Sequence, residues 1–362
     1  MKILLVSKEI YPEDSTGLGI STKSHYDILK EKGYILKLVS RNHKKCSDFN
    51  IIIKNILHFI INFFKLKKKA TKIINDYDPD IIIVESLQTL ISELFIISNN
   101  NKRKVILISH GVSIFPYKFN LKYILRFLIY LPYLPILFIL LKKVDNLYSL
   151  NWTKKSNRHL DDKIFNLLKK EKIIKYFNTS RFEKTKKTIT TVDYKIISCF
   201  GYIGEIKNQK NFLKIAEYFK NEKIKFKIIY QSFNYNYLKE CEKICEKKIL
   251  KNVQFIDGSN LDINLLIRES YLIVNTSITE VFPLTLVEGI SLNIPFVSYD
   301  KGNISFLKGG LIAKNEIEMV KNIELFLNNE FFYKKISKEG GDFYTNYLSN
   351  SLLEKKFDSI NV

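Results

Sequence analysis

Cysteine and arginine are both scarce in this chain, and each scarcity excludes something. The four cysteines, Cys46, Cys199, Cys241 and Cys245, form no disulfide framework. Cys241 and Cys245 lie four apart in a Lys/Glu-rich helical stretch. With no Cys/His pair near them, that spacing cannot hold a metal. Idle thiols in a reducing compartment are the expectation. Only six of the 58 basic residues are Arg, although the formal net charge is +21. Arg is the side chain that reads base edges and grips phosphates bidentately. Its scarcity, and the lack of an aromatic-basic motif, argue against a nucleic-acid-binding protein. The opening run Met1-Lys2-Ile3-Leu4-Leu5-Val6 is too short for a signal peptide and reads directly as a first strand.

What is present suggests two α/β domains. The 362 residues and 46% hydrophobic content suffice for two packed cores. Residues 1–185 carry 33 Lys+Arg against 16 Asp+Glu, whereas residues 186–362 carry 25 against 21. The basic excess therefore sits in the first half and favours an anionic surface as partner. Short apolar runs predict strands over residues 2–7, 35–40, 80–84, 104–109 and 145–148. Helical patterns intervene, as at 21–32 and 51–75. The second half repeats the alternation, with strands predicted over 194–202, 225–230, 252–256, 271–275 and 294–298. Such alternation predicts parallel sheets covered by helices on both faces. The boundary falls in the Lys/Thr-rich stretch 182–192, and residues 343–357 read as helix.

Residues 123–141 are nearly all apolar and are flanked by Lys118, Lys122, Lys142 and Lys143. The length approaches the ~20 residues of a membrane span. Arg126, Pro132 and Pro135 interrupt it, and a span here would tear one sheet across a bilayer. An interfacial helix or hairpin fits better, with a buried crossover as the alternative.

The most informative stretch is Glu280-Val281-Phe282-Pro283-Leu284-Thr285-Leu286-Val287-Glu288. It follows a predicted strand, so Glu280 falls in a strand-to-helix loop and Glu288 about one turn inside a helix. Pro283 suits the first helical position. The N–H groups of Leu284, Thr285 and Leu286 then form an anion site. A phosphate there, with a carboxylate on each side to accept sugar hydroxyls, describes a nucleotide-sugar pocket.

This pattern, with Asn275-Thr276-Ser277 before it and Asn293-Ile294-Pro295-Phe296-Val297 after it, resembles the E-x7-E signature of the retaining glycosyltransferases of family 4. The resemblance implies a GT-B fold, two doubly wound, Rossmann-like α/β domains facing a cleft. An acceptor-side domain would cover 1–185 and a nucleotide-sugar-binding domain 190–342. A helix over 343–362 would cross back to the first domain. Glu280 would face the donor hexose and Glu288 the ribose, with Phe282, Leu284 and Thr285 at the donor between them. Gly17, in a loop similar to the family's glycine-rich one, would face the diphosphate. His110, before Gly111 at a predicted strand's carboxyl end, would lie against the donor sugar.

The loop Gly201-Tyr202-Ile203-Gly204-Glu205-Ile206-Lys207-Asn208-Gln209-Lys210 resembles the family's G-R-L-x-x-x-K loop. Lys210 would neutralise the diphosphate, and Glu205 would stand where the family usually has Arg. Lys207 could supply that second cation. The implied activity is transfer of a hexose from a nucleoside diphosphate sugar to a hydroxyl of a surface-glycan or lipid-linked glycan acceptor. It would need no cofactor and no metal. The protein would be cytoplasmic, peripheral on an anionic membrane surface. The alternative is a GT-B-like protein that binds nucleotide sugar without turnover.

Overall fold

The structure, a computed structural model, describes residues 1–7, 9–12, 16–40, 64–65, 67–87, 96–97, 103–111, 124, 128, 134–150, 152, 160–182 and 194–358. Two compact units emerge. Met1–Trp152 and Asn157–Tyr176 form the first, and Phe177–Val362 falls in the second.

The first unit holds six parallel strands in the order β2-β1-β3-β4-β5-β6. They are β1 (Lys2–Ser7), β2 (Ile35–Ser40), β3 (Ile81–Glu85), β4 (Lys104–Ser109), β5 (Asn146–Ser149) and β6 (Ile173–Lys175). Runs such as Ile81-Ile82-Ile83-Val84 are buried at every position. A parallel sheet covered on both faces requires that continuous apolar pattern. Three helices are named here, α1 (Gly17–Glu31), α2 (Leu134–Lys142) and α3 (Leu160–Lys169). Of the helix expected over 51–75, residues 51–63 and 66 lie outside the described residues, while 64–65 and 67–77 are helical.

The second unit holds six more parallel strands, ordered β12-β11-β10-β7-β8-β9. They are β7 (Lys195–Phe200), β8 (Ile224–Tyr230), β9 (Val253–Asp257), β10 (Leu272–Asn275), β11 (Phe296–Tyr299) and β12 (Gly310–Ala313). The order reverses where β7 pairs with β10, through Leu272 opposite Ile197 and Ile273 opposite Ser198. In an open parallel sheet the loops at such a reversal diverge to opposite faces and leave a crevice at the strands' carboxyl ends. The helices are α4 (Gln209–Tyr218), α5 (Tyr235–Lys248), α6 (Ile263–Arg268), α7 (Leu284–Ser291), α8 (Glu316–Asn328), α9 (Glu330–Tyr347) and α10 (Asn350–Asp358). Phe212, Phe219 and Phe226 anchor the core on one face of this sheet.

All ten expected strands are present. Two more, β6 and β12, were not expected, because one has three residues and the other begins with glycine. The C-terminal helix expected over 343–357 is in fact the end of α9 followed by α10. Within the apolar segment 123–141, Leu137, Leu140 and Leu141 of α2 are core residues, packed with Val144 and Phe165. That part of the segment is therefore a buried crossover, which corrects the expectation of a wholly interfacial element. Phe138 and Ile139, on the other face of α2, are exposed. Among the described residues no helix is long and apolar enough to cross a membrane.

The backbone of α9 crosses the start of β12 closely enough to require glycine. A Cβ on Gly340 would lie 2.9 Å from Gly309 Cα and 3.2 Å from Ile290 Cγ2. Helix propensity alone would make Gly340→Ala stabilising by about 1 kcal/mol. Overpacking against backbone costs about 1–3 kcal/mol, so the substitution should lower the urea unfolding midpoint. An unchanged or raised midpoint would show that the crossing relaxes freely.

Candidate functional site

The pairing of β7 with β10 brings two loops together in the second unit. The Ile278 N–H donates to the Ile206 carbonyl at 2.8 Å. The Thr276 hydroxyl donates to the carbonyls of Lys207 and Asn208 at 3.0 and 3.1 Å. These bonds set the side chain of Lys207 against Glu280, with Nζ 2.6 Å from Oε1. Gly201 makes room for it, because a Cβ there would stand 3.2 Å from Lys207 Cε, and its φ of +130° suits glycine. Behind Glu280 the chain is held by Gly302 at φ +57°. A Cβ at Gly302 would meet the Glu280 carbonyl oxygen at 2.4 Å. Asn303 fixes the next residue, its backbone and side-chain nitrogens donating to the Val281 carbonyl at 3.0 and 2.8 Å. Glu280 is thus a nearly buried carboxylate on a rigid loop, with one cation in contact.

Helix α7 starts four residues later, at Leu284. Pro283 is its N-cap, with extended backbone, rather than its first helical residue as expected. The N–H groups of Leu286 and Val287 both reach the Pro283 carbonyl. The expected three-donor anion site therefore reduces to Leu284 and Thr285, whose N–H groups have no partner among the described residues. Those two and the helix dipole still favour an anion. Phe282 is buried beneath this corner. One turn in, Glu288 is fully buried and meets Arg181 bidentately, Nε to Oε1 at 2.5 Å and Nη2 to Oε2 at 3.2 Å. Burial pushes the Glu288 carboxyl up, and the guanidinium opposes that only in part. Arg181 belongs to a polar strap. Asn178 donates to the Phe282 carbonyl at 2.9 Å, Thr179 to Asn350 at 2.6 Å, and Ser180 accepts from Ser291 at 2.9 Å.

The first unit carries a second cluster at the carboxyl ends of its strands. Glu85 ends β3 and is fully buried. It accepts from His25 Nδ1 of α1 at 2.6 Å and from His110 Nε2, just past β4, at 2.8 Å. Burial alone would push this carboxyl up. The charge and hydrogen bonds of the two imidazoles outweigh burial and hold it at about 2. Tyr176 closes the cluster with its ring edge against His25, centroids 5.4 Å apart. Nearby, Thr16 caps α1, its hydroxyl accepting from the Gly19 N–H at 3.0 Å. Gly17 is the exposed first residue of that helix, with open space where a Cβ would stand. Residues 13–15 of the same loop lie outside the described residues.

The expected site residues thus fall in different surroundings. Glu280, Phe282, Leu284, Thr285 and Glu288 are together on one loop and helix. Lys210 is not with them. It is half-exposed on α4, paired with Glu240 at 2.5 Å and set over the Tyr237 ring. Lys207, three residues earlier, is the cation that reaches Glu280. Glu205 is exposed in the same loop. Sequence reasoning missed Glu85, His25 and Arg181. An acid closing the all-apolar run Ile81-Ile82-Ile83-Val84 was the available signal for Glu85, and nothing local marks Arg181. Cys199 and Cys241 are buried thiols whose pKa burial pushes up to about 12, so neither is poised as a nucleophile. Among the described residues no group of His, Cys, Asp and Glu could hold a metal ion.

The two Rossmann-like parallel sheets are those of the GT-B glycosyltransferase fold. Residues 180–342 match the family described as Glycosyl transferases group 1. The structure is similar to sucrose-phosphate synthase from Thermosynechococcus elongatus, with TM-score 0.73 and 12% identity over 100% of this chain and 98% of that one. It is also similar to HepE of Anabaena, solved with UDP and glucose, with TM-score 0.69 and 12% identity over 99% of each chain. A glycosyltransferase from Rickettsia africae gives TM-score 0.66 and 16% identity, over 99% of this chain and 97% of that one. At these identities the likeness shows the fold. No curated protein matches the chain's sequence.

Glu85 makes a prediction about acid stability. Its folded pKa of about 2 lies below the ordinary 4.5. A lowered folded pKa contributes stability above the ordinary value, and that contribution is lost as pH falls from 4.5 to 2. The shift corresponds to roughly 3 kcal/mol. Chemical unfolding of wild type and Glu85→Gln at a series of pH values should show the largest gap above pH 5 or so, closing towards about pH 2. A gap that stays constant across that window would mean that Glu85 is not held as a carboxylate.

Proposed function

We propose that the protein is a retaining, metal-independent glycosyltransferase that moves a hexose from a nucleoside diphosphate sugar to a hydroxyl of a surface-glycan or lipid-linked glycan acceptor. The observation that carries this reading is the corner between β10 and α7. Within the stretch 180–342 that matches the glycosyltransferase family, Lys207 and two open N–H groups flank Glu280. The diphosphate lies against the α7 start and Lys207. Glu280 takes the hexose, and Glu288 takes the ribose hydroxyls once its bond to Arg181 opens. HepE, solved with UDP and glucose, is a fold relative whose ligands are of this class. Preorganised charge that stabilises a departing anion usually contributes more to catalysis than any other single effect. Same-face attack follows, with the leaving phosphate taking the acceptor's proton.

Cation choice tests the assignment. Lys207→Ala should lower turnover by ~10² or more, as loss of one preorganised charge at a developing anion does. Lys210→Ala, which breaks a surface pair with Glu240 and a contact over the Tyr237 ring, should leave turnover close to wild type. Glu288→Ala should weaken nucleotide binding by ~1–3 kcal/mol. Equal rates for Lys207→Ala and wild type would remove Lys207 from the site. Tight donor binding with no transfer or hydrolysis by wild type would leave a non-catalytic nucleotide-sugar-binding protein.

The acceptor is proposed to be membrane-linked, with the protein peripheral on the cytoplasmic face. Phe138 and Ile139 project from α2 beside Lys142 and Lys143, with Lys142 Nζ 4.9 Å from the Phe138 ring centroid. Exposed apolar residues beside lysine suit anionic headgroups, where each Lys adds about 1 kcal/mol that salt screens. Phe138→Ser with Ile139→Ser should release the protein from anionic vesicles and leave its thermal midpoint unchanged, since neither side chain is in the core. Wild type that ignores anionic vesicles would point to a soluble glycan acceptor.

A further inference from the structure

Only six of the 58 basic residues are arginine, and Arg181 is placed unlike the others that can be compared. Arg103 pairs with the exposed Asp78, and Arg268 bonds Asn264 one turn back along its own helix. Among the described residues Arg181 is the one arginine seated on a fully buried carboxylate. Glu288 accepts its Nε–H and one of its Nη2–H groups. A guanidinium has five N–H donors, so three are left over, and no described residue bonds them. The group is also held from other sides. The Phe182 ring centroid lies 5.0 Å from Cζ, and Asn178, Thr179 and Ser180 fasten the strap that carries it. Even so, the side chain keeps 18% of its surface in solvent. A lysine would neutralise Glu288 equally well. What arginine adds is a planar fork whose unspent donors point in a fixed direction.

That fork stands at the start of α7. On a helix each Cα–Cβ bond leans towards the N-terminus, and residues four apart share a face. Glu288 therefore lies over Leu284, and the guanidinium on its carboxylate stands beside the first turn. The strap follows the same course, since Asn178 donates to the Phe282 carbonyl one residue before the N-cap Pro283. The first turn holds the two open N–H groups of Leu284 and Thr285. Glu280 and its partner Lys207 stand at the loop that enters it. Two cations thus serve one helix start, each seated on a carboxylate.

We propose that Arg181 is the second cation of the diphosphate site, beside Lys207. This rests on reading the α7 corner as the place where the diphosphate of a nucleoside diphosphate sugar binds. In such a donor each phosphate carries one negative charge, which one lysine and one arginine match. Transfer of the sugar leaves a nucleoside diphosphate with additional charge, and a guanidinium already in place stabilises it without reorganising. Lys210, expected in this role, is turned away to Glu240. Because three donors are unspent, Arg181 can grip phosphate oxygens whether or not its bond to Glu288 opens.

Calorimetric titration of the full chain with inorganic pyrophosphate and with a panel of nucleoside diphosphates tests this. Arg181→Lys keeps a cation on Glu288 but loses the fork. It should weaken binding of pyrophosphate, and of whichever nucleoside diphosphate binds wild type, by ~10–100-fold. An Arg181→Lys protein with a lowered thermal midpoint but wild-type affinity for pyrophosphate would overturn the proposal and leave Arg181 as a structural partner of Glu288. If Arg181→Lys does not fold, wild type labelled with 15N at its six arginines decides instead. Glu288→Gln, which changes the acceptor of the Arg181 Nε–H, identifies that signal. Pyrophosphate should shift it saturably, and binding that leaves it unmoved would overturn the proposal. Affinity lost in Lys207→Ala but kept in Arg181→Lys would discard Arg181 and leave the functional reading standing. Wild type that binds neither pyrophosphate nor any nucleoside diphosphate would remove the diphosphate site itself, and Arg181 with it.

Discussion

The pairing of β7 with β10 is the constraint on which the second unit's chemistry depends. These strands are far apart in sequence and neighbours in the sheet, and the strand order reverses between them. The chain leaves β7 towards α4 and leaves β10 towards α7, and the end of the first loop meets the start of the second. Thr276 and Ile278 tie them there through three hydrogen bonds to residues 206–208. Everything proposed for the donor follows from that junction. Lys207 comes from one loop and Glu280 from the other, and the α7 helix start is placed by the second loop's turn at Pro283.

Buried carboxylates recur at the carboxyl ends of both sheets, and each is handled differently. Glu85 is satisfied by two imidazoles and held ionised. Glu288 is covered by a guanidinium that only partly offsets its burial. Glu280 retains some exposure and has a flexible lysine, a partner that can be exchanged at low cost. A carboxylate removed from water is expensive unless paired, so these three positions are built rather than incidental. The graded pairing matches the proposed roles. Of the three, Glu280 has the most exposed partner, the lysine that the proposed donor would displace.

Much of this was legible from residue order. Continuous apolar runs bounded by polar turns marked ten strands, and their alternation with helical periodicity pointed to two doubly wound sheets. The Glu280–Glu288 spacing around Pro283 located the corner. What was not legible depends on distance through space. Lys207 and Lys210 lie in one short loop and helix start, and only the placement of α4 turns Lys210 outward to Glu240 while Lys207 folds back to Glu280. Glu85 and His25 are sixty positions apart and meet because β3 lies beside β1, under α1. Residues 123–141 looked uniformly apolar, but α2 splits that character between a core face at Leu137, Leu140 and Leu141 and an exposed face at Phe138 and Ile139. Composition cannot separate the two faces of one helix.

The central claim is that the corner at Glu280, Lys207 and α7 binds a nucleoside diphosphate sugar. Thermal unfolding of the full chain against a panel of nucleoside diphosphate sugars, each also tested on Glu280→Ala and Glu288→Ala, measures this most directly. The account predicts that at least one donor raises the wild-type midpoint, by an amount equivalent to about 2.7 kcal/mol at a hundred times its Kd, and that both variants lose most of that shift. A panel with no effect on wild type, or a shift that both variants retain in full, would contradict it.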